Sequence, residues 1–264
     1  MPVILRLDMR AGHSFTRGFE RPFDEVFIKS MQDTAKYLCK NIQNCKLSYQ
    51  QSDEITLLLV DYDKLNTDCF FDYRVDKLCS IAASMATMAF NKYFYDNVFV
   101  YNATATVDLS DKKYPFKEVY SKAVDKGAMF DARCFNIPKE EVTNLVYWRQ
   151  LDASRNSIQM VGQANFSHKE LQNKSCNDIQ DMLMTQKGIN WNDLPTYQKR
   201  GSCCIKIEEN ITENNSVEKM EFGENRKKIV VNIEHSHWII DTDIPIFKGE
   251  GREYIDRLVF VGEE

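Results

Sequence analysis

The sequence predicts an α+β fold of the ferredoxin-like, split βαβ kind: an antiparallel sheet with helices on one face, followed by a C-terminal extension. Two observations carry the prediction. Segments with strand character and segments with helical periodicity follow one another as strand, helix, strand, strand, helix, strand. The two middle strands are joined by a tight polar turn, Gln51-Ser52-Asp53-Glu54, as expected of a hairpin. The length, 264 residues, and a hydrophobic fraction of 43% suffice for a real core.

Val3-Ile4-Leu5-Arg6-Leu7 reads as a buried strand ending at Asp8. Asp24 is a good N-cap, and Phe27, Met31, Ala35, Leu38 and Ile42 recur at helical spacing, so a helix is predicted over 24–44. Residues 47–49 and 55–60 form the hairpin. A second helix is predicted over 72–95, with Val75, Leu78, Ala82, Met85 and Ala89 on its buried face. Another strand falls within 128–137. In this order the first strand neighbours the hairpin, so Asp8 and Asp53 are expected to meet at one sheet edge.

Pro138 suits the first turn of a further helix running to about Asn165. On it Arg149, Asp152 and Asn156 share one face, with Arg155 close by. A helical stretch over 167–186 follows. Residues 203–208 and 228–233 then read as a β pair around a polar loop, 209–225. The expected division is a catalytic domain over 1–137 and a helical and β-hairpin region over 138–264 packed on it.

Composition narrows the function classes. No apolar stretch approaches a bilayer span, and Met1-Pro2-Val3-Ile4 lacks the basic start of a signal peptide, so no membrane association is expected. The eight cysteines show no CxxC pair and read as reduced thiols of a cytosol-like compartment; a cytoplasmic location is expected, with an organellar one left open. The net charge of −5 does not announce a nucleic-acid binder. Basic clusters at Lys112-Lys113, Lys199-Arg200 and Arg226-Lys227-Lys228 read by default as solvated surface charge. His235-Ser236-His237 lacks the further ligands of a zinc site, and Walker A, G-x-S-x-G and HExxH motifs are missing.

Asp8, Asp53 and Glu54 are the chemical centre of this reading. Strand-end acids that converge repel one another unless a cation lies between them. Hard divalent metals take oxygen ligands and leave waters for phosphates, which is how a two-metal nucleotidyl-transfer site is built. A polar hairpin turn plus an unrelated strand-end aspartate would look the same at this stage. Gly12, in the loop after Asp8, can bring backbone N–H groups against phosphate oxygens. His13 could bond a nucleotide. Arg21 is a candidate for phosphate contact, as are Arg74 and Lys77, one helical turn apart.

Six motifs then fall into one order: R-L-D-M-R-A-G-H-S-F (6–15), R-P-F-D (21–24), Q-S-D-E (51–54), F-D-A-R (130–133), Y-W-R-Q-L-D (147–152) and I-N-W-N-D-L-P-T-Y-Q-K-R-G (189–201). Together they resemble the tRNA-histidine guanylyltransferase superfamily, which includes the Thg1-like 3'-to-5' RNA polymerases. The resemblance covers about residues 3–208 and implies a polymerase- and cyclase-type palm. It implies that Asp8, Asp53 and the backbone carbonyl of Met9 bind two Mg2+ ions, with Glu54 beside the second aspartate. It implies that Asp8, Met9, Arg10, Ala11, Gly12 and His13, with Ser52 and Asp53, hold a nucleoside triphosphate. Arg21 stands where the family usually has lysine, and Asp24 matches an acid near the base. Arg74 and Lys77 match cations near the triphosphate. Arg133, Arg149, Asp152 and Asn156 fall on positions expected to touch RNA or triphosphate.

The departures are informative. Met9 replaces a common glycine, and Gln50 follows Tyr49 where the family commonly has Tyr-Gly. Ser154-Arg155-Asn156-Ser157 stands where guanylyltransferases acting on histidine tRNA carry His-Ile-Asn-Asn. The resemblance therefore implies template-dependent 5'-end repair of truncated tRNA, with ATP, GTP or other nucleoside triphosphates as substrates and tRNA as partner, in a homo-oligomer, by family expectation a tetramer. The rivals are a guanylyltransferase proper adding one 5' guanylate, a nucleotide-cyclase-like palm enzyme, and a non-catalytic RNA-binding module.

Overall fold

The computed structural model describes residues 1–63, 66–105, 116–210 and 234–262. Its core is the predicted split βαβ unit. Strand β1 (Val3–Met9) is followed by a single turn, α1 (Gly12–Phe15), then helix α2 (Glu25–Asn41) and the hairpin β2 (Cys45–Gln51) and β3 (Glu54–Leu59). Helix α3 (Val75–Ala105), the shorter α4 (Lys117–Lys126) and strand β4 (Phe130–Asn136) complete it. The C-terminal region supplies α5 (Lys139–Asn165), α6 (His168–Leu171), α7 (Cys176–Met182), α8 (Thr196–Arg200), strands β5 (Ser202–Asn210) and β6 (Glu234–Asp241), and α9 (Glu253–Val259). All strand pairs are antiparallel, and one six-stranded sheet runs β4-β1-β3-β2-β5-β6. The first four positions, β4-β1-β3-β2, are the ferredoxin-like order.

Strand alternation sorts the residues of β1 onto two faces. Leu5, Leu7 and Met9 join Ile55, Leu57, Phe130 and the apolar stripes of α2 and α3 in one core cluster. Ile4 on the opposite face joins Leu47, Leu58, Cys203 and Ile205 with Val142 and Val146 of α5 and Ile255 and Val259 of α9. The palm helices thus lie on one face, and the C-terminal region covers part of the other.

The predicted boundaries shift in places. Helix α2 is capped by Asp24, whose side chain accepts from the Phe27 N–H at 2.8 Å. Helix α3 starts at Val75 rather than 72, because Phe71, Asp72 and Tyr73 have φ of 49–53°, outside the right-handed helical region. It also runs on to Ala105, since Phe90, Phe94 and Val98 continue its buried face. Val75 is 60% exposed, a correction to its expected place in the core: the apolar cover runs out at the first turn of the helix. The strand expected over 228–233, most of the loop 209–225, and the basic clusters at 112–113 and 226–228 lie outside the described residues. On the side away from β2, β5 pairs with β6, which starts at Glu234.

Candidate active site

The edge where β1 leaves the sheet collects acids. Asp8 is the cross-strand partner of Glu54 on β3 and of Asp131 on β4, so the three residues share one face of adjacent strands. Asp53 closes the hairpin turn beside them, and its carbonyl accepts from the Met9 N–H at 3.1 Å. Ser52 (φ 48°) and Ala11 (φ 55°) take the left-handed conformation that such tight reversals require. Gly12 is needed for close approach: a Cβ there would lie 2.0 Å from Asp53 Oδ2. Burial pushes the Asp8 carboxyl above the ordinary carboxylate range, and the negative charges of Asp53, Glu54 and Asp131 push it further, against the pull of Arg6.

Negative charge is thus crowded where an oxygen-rich donor set gathers. Among the described residues no three His, Cys, Asp or Glu side chains form a ready-made metal cage. Two carboxylates, Asp8 and Asp53, together with the Met9 carbonyl suit a hard divalent cation that keeps open positions for water and phosphate. The two main-chain groups of a strand residue point the same way, and the Met9 N–H is directed at Asp53. These residues fit the group.

Glu54 is held differently. It is 5% exposed, pairs with Arg6, and accepts from Arg149 of α5 through both oxygens, Nε to Oε1 and Nη2 to Oε2, each at 2.8 Å. Arg149 also donates to Asp152 Oδ2 at 3.2 Å, and Arg155 to Asp152 Oδ1 at 2.7 Å. An alternating chain of charges, Arg6–Glu54–Arg149–Asp152–Arg155, therefore runs from β1 onto α5.

Next to Asp53 opens a cavity of about 390 Å³. Gly12, His13, Ser52 and Asp53 line one end, Arg21 to Asp24 one wall, Ala153, Asn156, Ser157 and Met160 of α5 another, and Tyr197, Gln198 and Gly201 a third. It combines an acidic end, aromatic and aliphatic walls and neutral amides, a composition that suits a ligand carrying phosphates and a heterocycle.

The profile of the family described as tRNAHis guanylyltransferase (Thg1) matches residues 1–138, which contain the acid cluster and the whole split βαβ unit. The chain belongs to the Thg1 family. That family is one of nucleotidyltransferases. A bacterial Thg1-like protein solved in complex with ATP superposes with a TM-score of 0.75 at 39% identity, covering 99% of this chain and 91% of the other. A bacterial Thg1-like protein solved with GTP gives 0.70 at 36% identity, with 98% and 90% covered. Among curated relatives, the tRNA(His) guanylyltransferase of Saccharomyces cerevisiae is 27% identical over 214 residues, 76% of this chain and 80% of the relative. No helix among the described residues is long and apolar enough to cross a membrane.

Several residues that the Thg1 resemblance singles out meet at this edge: Asp8, Met9, Gly12, His13, Ser52, Asp53, Arg21 and Asn156. Arg10 and Ala11 form the exposed bend between β1 and α1, anchored by the Arg10 N–H on the Met129 carbonyl at 2.8 Å. Asp24 lines the cavity, yet its carboxylate accepts from the Phe27 and Glu20 N–H groups and from the Tyr120 hydroxyl at 2.8, 3.0 and 2.7 Å. Burial raises its pKa while these donors pull it down. Its side chain caps α2 and ties it to α4. Arg133 is exposed on β4, cross-strand from Arg6 and 3.9 Å from Asp131.

Arg74 and Lys77 do not join the site within one chain. Thr87 and Asn91 of α3 bond the backbone at Phe130 and Ala128, beside the acid edge. Cys79 meets Cys134 farther along β4. At about 1.5 Å per residue, Arg74 lies some 20 Å from Thr87, toward the far end of the sheet.

Sequence reasoning passed over Asp131, although F-D-A-R carries it. The alternation there, Phe130 buried and Asp131 exposed, already put the acid on the face of Asp8. It also gave no role to Tyr197 and Gln198, which bond Glu25 at 3.0 and 2.8 Å and bring the segment before β5 to the cavity. No local signal marks that long-range closure.

Proposed function

We propose that this chain adds nucleotides in the 3'-to-5' direction to the 5' end of truncated tRNA, copying the opposite strand of the acceptor stem. The observation that carries the reading is the crowding of Asp8 and Asp53, close enough for the Asp53 charge to raise the Asp8 pKa, with Asp53 packed against Gly12 in the lining of a nucleotide-sized cavity. The likeness to bacterial Thg1-like proteins over nearly the whole chain supports it. So does Ser154-Arg155-Asn156-Ser157, which departs from the pattern of the histidine-tRNA enzymes.

In this mechanism the RNA 5' end carries an activated phosphate, either a triphosphate or a monophosphate adenylylated by ATP with release of pyrophosphate. The 3' hydroxyl of the incoming nucleoside triphosphate attacks the 5' phosphorus. A new P–O bond forms, pyrophosphate or AMP leaves, and the hydroxyl proton passes to solvent. Asp8, Asp53 and the Met9 carbonyl would hold Mg2+, which, when bound, lowers the pKa of a coordinated hydroxyl and neutralises phosphate charge. Gly12 keeps the Asp53 carboxylate against the first loop. His13, Ser52 and Arg21 border the phosphate end, and the walls from α5 and the segment around Tyr197 receive the base. Base choice comes from pairing with the template strand. Arg74 and Lys77 would reach a triphosphate only in a second copy of the chain, consistent with a homo-oligomer.

A panel of tRNA substrates, each nucleotide supplied singly, tests the reading. Templated addition to a 5'-truncated tRNA supports it. Addition only of guanylate to a full-length histidine tRNA, opposite adenine, would replace it with the guanylyltransferase reading.

A further inference from the structure

We propose that Arg149 is a positioning residue that sets the α5 wall of the nucleotide cavity against the acid edge, acting through Glu54 and Asp152 rather than by touching substrate. The inference rests on the reading of the cavity given above. Helix α5 has two apolar anchors: Val142 and Val146 in the core shared with α9, and Ile158 and Val161 in a separate cluster with Ile179 and Leu183. Between them its buried residues are Gln150, Ala153 and Ser157, small or polar, and they offer little apolar contact to fix the helix.

That stretch is tied by polar bonds. Gln150 donates to the Pro245 carbonyl at 2.8 Å and accepts from the Phe247 N–H at 3.0 Å. Ser157 accepts from Trp191 Nε1 at 2.9 Å. Only Arg149 among these reaches the strand bearing the acids, and it does so with the two-pronged geometry that fixes direction as well as distance. Asn156 follows two helical turns later on the same flank, and it lines the cavity. With both Nε and Nη2 engaged by Glu54 and a side chain 20% exposed, Arg149 is committed inside the chain.

The test uses the full chain with ATP and GTP as ligands. Dissociation constants are measured for wild type, R149M, E54Q, the double variant and R149K, together with hydrogen exchange over residues 153–160 without nucleotide. R149M should speed that exchange and weaken binding roughly tenfold, within the span known for residues of one hydrogen-bonded network. The double variant should bind no worse than the weaker single one, and R149K, folded and still charged, should fall between wild type and R149M. Full additivity of R149M and E54Q would mean direct contact with the ligand and would overturn the proposal, as would unchanged exchange in both R149M and R149K. Faster exchange in a chain whose wild type binds neither nucleotide would uphold the clamp and remove the functional reading instead.

Discussion

Asp8 and Glu54 face each other across β1 and β3, and only one of them is neutralised. Glu54 sits between two guanidinium groups. Asp8 has acids on both neighbouring strands and in the adjoining turn, and its proton is bound more tightly than usual. The same edge therefore contains one acid whose charge is paired within the chain and one that sits mainly among other acids.

That asymmetry predicts how D8N behaves. A carboxyl whose folded pKa is raised costs stability once it ionises; the penalty is full above the folded pKa and vanishes below the unfolded value, near 3.8. In metal-free buffer D8N should melt higher than wild type at pH 8, and the gap should close as the pH falls toward 4. Thermal unfolding of both proteins across that range checks it. A D8N that melts lower at pH 8 would show that Asp8 is already compensated.

Glu54 predicts the reverse. E54A leaves Arg6 and Arg149 without their shared partner, and removing one member of a mostly buried pair costs roughly 3 kcal/mol. Urea unfolding should show the loss at any neutral pH, with or without Mg2+. An E54A chain as stable as wild type would mean that the ion-pair chain contributes nothing to α5.

The palm was legible because its signals are local and periodic. The stripe from Phe27 to Ile42 and the cap at Asp24 needed only neighbouring residues. The hairpin turn announced its strands, and strand order followed from the element order. Asp8 and Asp53 came from the same reading. The rest depended on contacts distant in sequence. Nothing near Arg149 indicates that it will pair with a residue 95 positions away, so its polar stripe looked like a surface for substrate. Arg74 and Lys77 had sound helical spacing, but only the packing of α3 against β4 shows which end of the sheet they occupy.

Gly12 offers a test of placement separate from charge. The Cβ of G12A would meet Asp53 Oδ2 at 2.0 Å, so the carboxylate must move while the rest of the palm is undisturbed. Displacing a reacting group by about 1 Å costs on the order of 10²-fold in rate. Nucleotide addition by G12A should fall by about that factor with the melting temperature nearly unchanged. Undiminished activity would place the chemistry elsewhere.

Asp53 is the residue on which the proposed metal-dependent nucleotidyl transfer most depends. The direct measurement is incorporation of a labelled nucleotide at the 5' end of a truncated, 5'-triphosphorylated tRNA by wild type and D53A, with and without Mg2+. Wild type should show magnesium-dependent addition, and D53A, still folded, a loss of at least about 10²–10³-fold, the scale for removing an electrostatic group from a transition state. Addition by D53A at the wild-type rate would contradict that dependence.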